Sequence, residues 1–94
     1  MNPVYEIIKE IPTGEVTTYG AIGKKLNISP RLVGRILHNN PDPKKYPCHR
    51  VVRSDGCIAE GYTFGGKEGQ IEKLNREGVE IKNGKICDFK KYLI

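Results

Sequence analysis

The sequence predicts a mainly α-helical domain with small β-hairpins. Three observations carry that prediction. Apolar residues recur at helical spacing in four stretches. Three of those stretches open on a residue able to cap a helix, Asn2, Thr18 and Ser29, two of them followed by proline. The remaining β-prone runs are short and turn at Asp55-Gly56 and Asn83-Gly84.

The first helix opens with Asn2 and Pro3, places Val4, Tyr5, Ile7, Ile8 and Ile11 on one face, and ends at Pro12-Thr13-Gly14. Thr18 caps a second helix whose apolar residues are Ala21, Ile22 and Leu26. Asn27-Ile28 breaks it, and Ser29-Pro30 starts a third. There Leu32, Val33, Ile36 and Leu37 are expected to point inward, and Arg31, Gly34, Arg35 and His38 to share the outer face. Two short helices with a tight joint, over about residues 18–39, suggest a helix-turn-helix. "NNPDPKK" is expected as a loop, and "RVVRSDGCI" as two strands around Asp55-Gly56, a candidate wing. The architecture is thus winged-helix-like. "AEGYTFGGKEG" is expected as a loop, followed by a helix with Ile71 and Leu74 inward and Gly78 at its end. "VEIKNGKIC" alternates around Asn83-Gly84, a tight hairpin.

Ninety-four residues suffice for one domain, and residues 1–94 carry no internal repeat, low-complexity tract or sign of a second domain. The cysteines, Cys48, Cys57 and Cys87, are odd in number and lack the spacing of a disulfide framework. The N-terminus lacks a basic leader with a continuous apolar stretch, and no segment is long enough to span a bilayer. A reduced, cytoplasmic protein without a membrane partner is expected.

The net charge of +5 is unevenly placed. Residues 1–29 hold three basic and three acidic side chains, and residues 54–94 hold seven of each. Residues 30–53 hold Arg31, Arg35, Lys44, Lys45, Arg50 and Arg53 against Asp42 alone. So local an excess fits either a solvated basic face or a footprint for a polyanion such as nucleic acid.

Inside that basic segment lies "YPCHRVV", residues 46–52. Cys48 can be a small buried hydrophobe, a metal ligand or a nucleophile. Zinc needs about four ligands at workable spacing. His38, His49, Cys57 and Cys87 do not provide it, and no C-x-x-C pair exists. A nucleophile needs its thiol pKa lowered by nearby positive charge or a base. His49 and Arg50 stand next to it in sequence. On an extended strand adjacent side chains point to opposite faces, so a water could relay the proton between Cys48 and His49. Arg50 is expected to be structural or phosphate-facing.

"TTYGAIGKKL", "RLVGRILHNNP", "YPCHRVV" and "REG" occur here in an order and spacing that resembles the O6-alkylguanine-DNA alkyltransferases, over about residues 3–78. The resemblance implies the helix-turn-helix DNA-binding domain of that family and a suicide repair reaction without a cofactor or metal. Cys48 resembles the acceptor of the alkyl group, His49 the base acting through a water, and Glu77 the acid that orients that histidine. Asn40 resembles the asparagine shaping the turn before the reactive segment. Tyr19 resembles the tyrosine beside the target base, and Arg31 the arginine that fills the gap in the duplex. Gly34 would allow a close approach to the minor groove, with Arg35 beside it. Tyr62, Pro47 and Val51 would line the substrate pocket. The implied partner is duplex DNA containing O6-alkylguanine, bound by a monomer, with other repair proteins as further partners. Each of these residue types also has a plain structural use: Tyr19 as core, Arg31 as a surface charge, Glu77 as a helix-end carboxylate.

Three features depart from that family: the larger members' N-terminal domain is expected to be absent, Arg35 follows Gly34, and "DGCIAEGYTFGG" is slightly long. The short length and the ending "EGVEIKNGKICDFKKYLI" also resemble the alkyltransferase-like proteins, which bind alkylated DNA without accepting the group. Those proteins characteristically lack the cysteine that this chain keeps as Cys48. Transfer to Cys48, damage sensing and transcription regulation by a winged helix are therefore the three functional expectations, with the first favoured by the active-site motif.

Overall fold

A computed structural model of the chain describes residues 2–59, 62 and 64–94. The Asn2 side chain accepts a hydrogen bond from the Val4 amide, and Pro3 takes the first position of helix α1 (Pro3–Lys9), as expected. Val4, Tyr5, Ile8 and, past the helix, Ile11 are buried. The Tyr5 hydroxyl donates to the Ile36 carbonyl at 2.6 Å, which ties α1 to the third helix.

Strand β1 (Thr17–Thr18) runs directly into α2 (Tyr19–Leu26), capped by Thr18 Oγ1 on the Ala21 amide. Asn27 ends α2 with a left-handed φ of 58°. Ser29 then caps α3 (Pro30–His38). The joint is close: a Cβ on Gly23 would lie 2.6 Å from the Ile28 carbonyl oxygen, so only glycine fits there. One inward expectation is corrected: Leu32 is 38% exposed. The fully buried stripe of α3 is Val33 and Leu37, one turn apart, with Ile36 half-buried. Leu32 is rotated about 100° from Val33, off the edge of that narrow stripe.

A loop leads from α3 to a 3₁₀ turn (Cys48–Arg50) and strand β2 (Val51–Val52). The expected wing is present only as a turn. The Gly56 amide donates to the Arg53 carbonyl at 2.8 Å, and the Arg53 amide to the Cys57 carbonyl at 3.0 Å. Strand β2 itself pairs in parallel with β1, Thr17 opposite Val51 and Thr18 opposite Val52. Cys57 instead bridges to Lys85.

Helix α4 (Gly66–Arg76) starts inside the stretch expected as a loop. Its glycine content reflects close packing, since a Cβ on Gly69 would meet the Phe64 carbonyl oxygen at 2.6 Å. Leu74 is buried and Gly78 follows the helix at φ +88°, as expected. β3 (Ile81–Lys82) and β4 (Lys85–Ile86) form the expected antiparallel hairpin, with Asn83 and Gly84 both at positive φ. A four-residue helix, α5 (Phe89–Tyr92), was not expected. After it the chain returns to β1's neighbourhood, where the Val16 amide donates to the Tyr92 carbonyl.

The β1–β2 pair is the seam between two apolar clusters. Val51 joins α1, α2, α3, Tyr46, Cys48 and Tyr62 on one side. Its neighbour Val52 joins Val16, Ile58, Leu74, Val79 and Ile86 on the other, as alternation along a strand requires. The segment that carries Cys48 is thus anchored in both clusters.

Candidate active site and nucleic-acid interface

Asn40 prepares the segment that carries Cys48. Its Nδ2 donates to the Tyr46 carbonyl at 2.8 Å, and its Oδ1 accepts from the Asp42 amide at 3.0 Å. Buried and doubly bonded, it pins both ends of the loop after α3. The Cys48 amide then donates to the Tyr46 carbonyl at 2.7 Å, and the Arg50 amide to the Pro47 carbonyl at 3.0 Å. Cys48 and His49 therefore lie on a 3₁₀ turn, not on an extended strand as the sequence suggested. Successive side chains there are about 120° apart, so Cys48 can enter one cluster while His49 turns toward α4.

His49 Nε2 lies 2.9 Å from Glu77 Oε2, where α4 ends. Arg50 grips the same carboxylate with two donors, Nε to Oε1 at 2.9 Å and a terminal nitrogen to Oε2 at 2.7 Å. It also donates to the Ile11 carbonyl and to Thr13 Oγ1. Arg50 is thus structural and does not face outward toward a phosphate. Burial works against Glu77's charge, but the bonds from Arg50 and His49 outweigh it and hold its pKa below the usual carboxylate range.

Burial lowers the pKa of His49 below its ordinary value, although Glu77 pulls the other way. At neutral pH the ring is neutral. An ionised Glu77 can only accept, so the ring proton sits on Nε2 and Nδ1 carries the lone pair. That Nδ1 is buried and has no hydrogen-bond partner among the described residues.

Cys48 is only 5% exposed. Burial pushes its thiol up, and the Asn40 side chain and the Lys73 ammonium bring it only part of the way back. The neighbouring cations thus do not bring the thiol below its ordinary value. At neutral pH the site holds a thiol, followed in the chain by a neutral imidazole.

A groove of about 750 Å³ opens beside the helix-turn-helix, with Tyr19, Arg31, Gly34 and Arg35 on one wall. Gly34 adds no side chain to that wall, where a Cβ would make ordinary contact with the Tyr19 ring at 3.9 Å. Burial, and then the nearness of Cys48, raise the Tyr19 pKa to about 12, so its hydroxyl remains a donor. Arg53 and Ser54 form the facing wall. Arg53 was counted in the basic segment, but nothing in its local pattern placed it there.

Tyr62 is buried in Cys48's cluster, its hydroxyl accepting from Lys73 Nζ at 2.7 Å. Of the loop before it, Glu60 and Gly61 lie outside the described residues, as does Thr63 after it. Pro47 is buried at the start of the 3₁₀ turn, and Val51 is fully buried in the Cys48 cluster; neither lines the groove. Sequence reasoning missed Gln70, which is 0% exposed. Its Nε2 donates to the His49 and Val51 carbonyls at 2.9 and 3.0 Å, and its Oε1 accepts from the Ala59 amide at 3.0 Å. A polar residue one turn before Leu74 on the inward face was the only available signal. Among the described residues no three His, Cys, Asp or Glu side chains form a metal-binding group. No helix there is long and apolar enough to cross a membrane. Cys48, Cys57 and Cys87 are free thiols.

A helix-turn-helix that walls a basic groove, backed by a buried thiol and a glutamate-held histidine, defines a nucleic-acid-binding domain. The chain belongs to the family described as 6-O-methylguanine DNA methyltransferase, DNA binding domain, whose family model matches residues 1–79. It is 41% identical over 83 residues to the methylated-DNA–protein-cysteine methyltransferase of Methanocaldococcus jannaschii, covering 88% of this chain and 50% of that one. It therefore spans half the length of that relative. It is 34% identical over 89 residues to alkyltransferase-like protein 1 of Schizosaccharomyces pombe, covering 93% and 82% of the two chains. The fold matches the crystal structure of S. pombe Atl1 in complex with damaged DNA containing O6-carboxymethylguanine, with a TM-score of 0.84 and 32% identity over 97% of this chain and 90% of that one.

Proposed function

We propose that this protein repairs alkylated DNA by taking the alkyl group of O6-alkylguanine onto Cys48. The observation that carries this reading is the buried thiol followed in the chain by a neutral His49, whose Nε2 is held by Glu77 and whose Nδ1 is unpartnered among the described residues. The likeness to the Atl1 complex supports damaged duplex DNA as the partner.

The basic groove meets the duplex on its minor-groove side, mainly through phosphates, so binding is strongly salt-dependent. Gly34 admits the backbone, Arg35 grips a phosphate and Arg31 fills the space of the extruded base. Extrusion is necessary, because a stacked guanine cannot present O6 to so buried a thiol. Tyr19 donates to the purine ring, Tyr62 walls the pocket, and Pro47, Val51 and Asn40 keep the reactive turn in place. Cys48 Sγ attacks the alkyl carbon, and the S–C bond forms as the O6–C bond breaks. The thiol proton passes through a water to His49 Nδ1. The electron pair of the broken bond stays with guanine, which takes up one proton, and His49 later returns its own to solvent. The thioether persists, so each molecule acts once.

A damage-sensing role without transfer is the second reading. It is favoured by the likeness to Atl1 over nearly both whole chains and by the raised pKa of Cys48. The two are separated by following the DNA. A duplex whose restriction site is blocked by one O6-methylguanine becomes cleavable, one duplex per protein molecule, if transfer occurs. Cys48→Ser should abolish that recovery and keep lesion binding. Lesion-selective binding without recovery in the unaltered protein selects the sensor.

A further inference from the structure

Helix α4 turns three polar side chains toward the reactive segment. Gln70 holds its carbonyls and Glu77 its histidine. Lys73 lies between them in sequence, and neither reaction nor fold has yet given it a part. It is half-buried, and no carboxylate among the described residues pairs with it. Its ammonium lies 2.7 Å from the Tyr62 hydroxyl oxygen and 5.6 Å from the centre of the Phe64 ring. It is also near enough to Cys48 and His49 to act on both electrostatically.

Resting on the transfer-or-sensing reading of Cys48, we propose that Lys73 and Tyr62 form a subsite for an anionic terminus on the O6 substituent, so that the pocket prefers O6-carboxyalkylguanine to neutral adducts of the same shape. Any O6 carbon brought to Cys48 Sγ carries the rest of its substituent into the surrounding wall. Tyr62 shares Cys48's apolar cluster, and Lys73 stands at its hydroxyl. A methyl group offers that ammonium nothing. A carboxymethyl group offers a carboxylate to a cation that has none among the described residues. Because Tyr62 accepts from Lys73 and burial keeps its own proton in place, its O–H supplies a second donor. Without such donors a buried carboxylate would be rejected for the cost of stripping its water. A partly buried ammonium with no counter-charge among the described residues reverses that penalty.

The test uses the full chain carrying Cys48→Ser, which removes transfer from the measurement. Four duplexes of one sequence are compared, bearing O6-carboxymethylguanine, its neutral isostere O6-carbamoylmethylguanine, O6-methylguanine or guanine. The expected result is about tenfold tighter binding of the carboxymethyl than of the carbamoylmethyl duplex at low salt. Lys73→Met should reduce that ratio to about one and leave O6-methylguanine binding unchanged, while Lys73→Arg should keep most of it. Equal binding of the two isosteres, or a preference that survives Lys73→Met, overturns the subsite. If Lys73→Met does not fold, the starting ratio and Lys73→Arg decide: loss of the preference in a folded Lys73→Arg, with O6-methylguanine binding intact, also counts against it. Failure to separate O6-methylguanine from guanine is a different result, and it overturns the functional reading beneath.

Discussion

Glu77 Oε2 lies 2.9 Å from His49 Nε2, across 28 positions of sequence, and the contact sets the tautomer of the imidazole that follows Cys48 in the chain. Glu77→Gln breaks this in two ways. The amide nitrogen faces either the Arg50 guanidinium or the His49 N–H, donor against donor, and the ring loses the charge that favours Nδ1 as base. Single-turnover transfer should fall about 100-fold, while affinity for lesion-bearing DNA changes little. An unchanged rate would remove Glu77 from the proton path.

The pKa directions fix a stability profile with two flanks. His49 titrates below 6.5 in the fold, so the stability it contributes is complete above 6.5 and is lost as pH falls through the folded value. Glu77 does the same below 4.5. Cys48 is raised above 9.0, so its contribution is complete below 9.0 and is lost as pH rises beyond it. Thermal melting against pH should show a plateau between these flanks. Transfer should fall on the acid side, as His49 takes up a proton, and stay level from about pH 7 to 9. A rate that climbs steadily across that interval would mean that a pre-formed thiolate reacts.

Gln70→Leu keeps the size of a fully buried side chain and removes three hydrogen bonds. The His49 and Val51 carbonyls and the Ala59 amide then each lose a partner in the interior. Urea unfolding should show a loss of about 2–4 kcal/mol. A loss below about 0.5 kcal/mol would indicate that the backbone finds other partners.

Arg31 is exposed on the groove wall and has no ion-pair partner among the described residues. Arg31→Ala should therefore leave stability within about 0.5 kcal/mol. Its effect should appear in duplex DNA, where the gap of the extruded base must be filled, with about a tenfold loss in rate. Reaction with a free alkylguanine base should be nearly unaffected. Equal losses on the two substrates would exclude the gap-filling role.

The parts legible in the sequence are those encoded locally. Asn2, Thr18 and Ser29 announce three helix starts by side-chain caps, and Asn83-Gly84 announces its hairpin by a turn that needs positive φ twice. The grouping of Tyr19, Arg31, Gly34 and Arg35 in one groove was likewise visible, because helical spacing alone puts the last three on one face. What escaped depends on distant partners. Val51-Val52 looked like half of a hairpin because the competing strand, Thr17-Thr18, lies far upstream. Glycines at the start of α4 signalled a loop, whereas Gly69 is there to let Phe64 approach. A four-residue helix such as α5 is too short to show periodicity. Gln70 and Lys73 could be placed only once α4 was known to face the reactive turn, and the net pKa of Cys48 only once its burial was known.

The central claim is a covalent one, and intact-protein mass tests it most directly. The protein is incubated with duplex DNA bearing one O6-methylguanine, and the product is digested and mapped. The account predicts a gain of one CH₂ per molecule on the peptide holding Cys48, absent in Cys48→Ser. An unchanged mass under conditions where the lesion is bound would contradict it, and would leave Cys48 as a buried residue of a damage sensor.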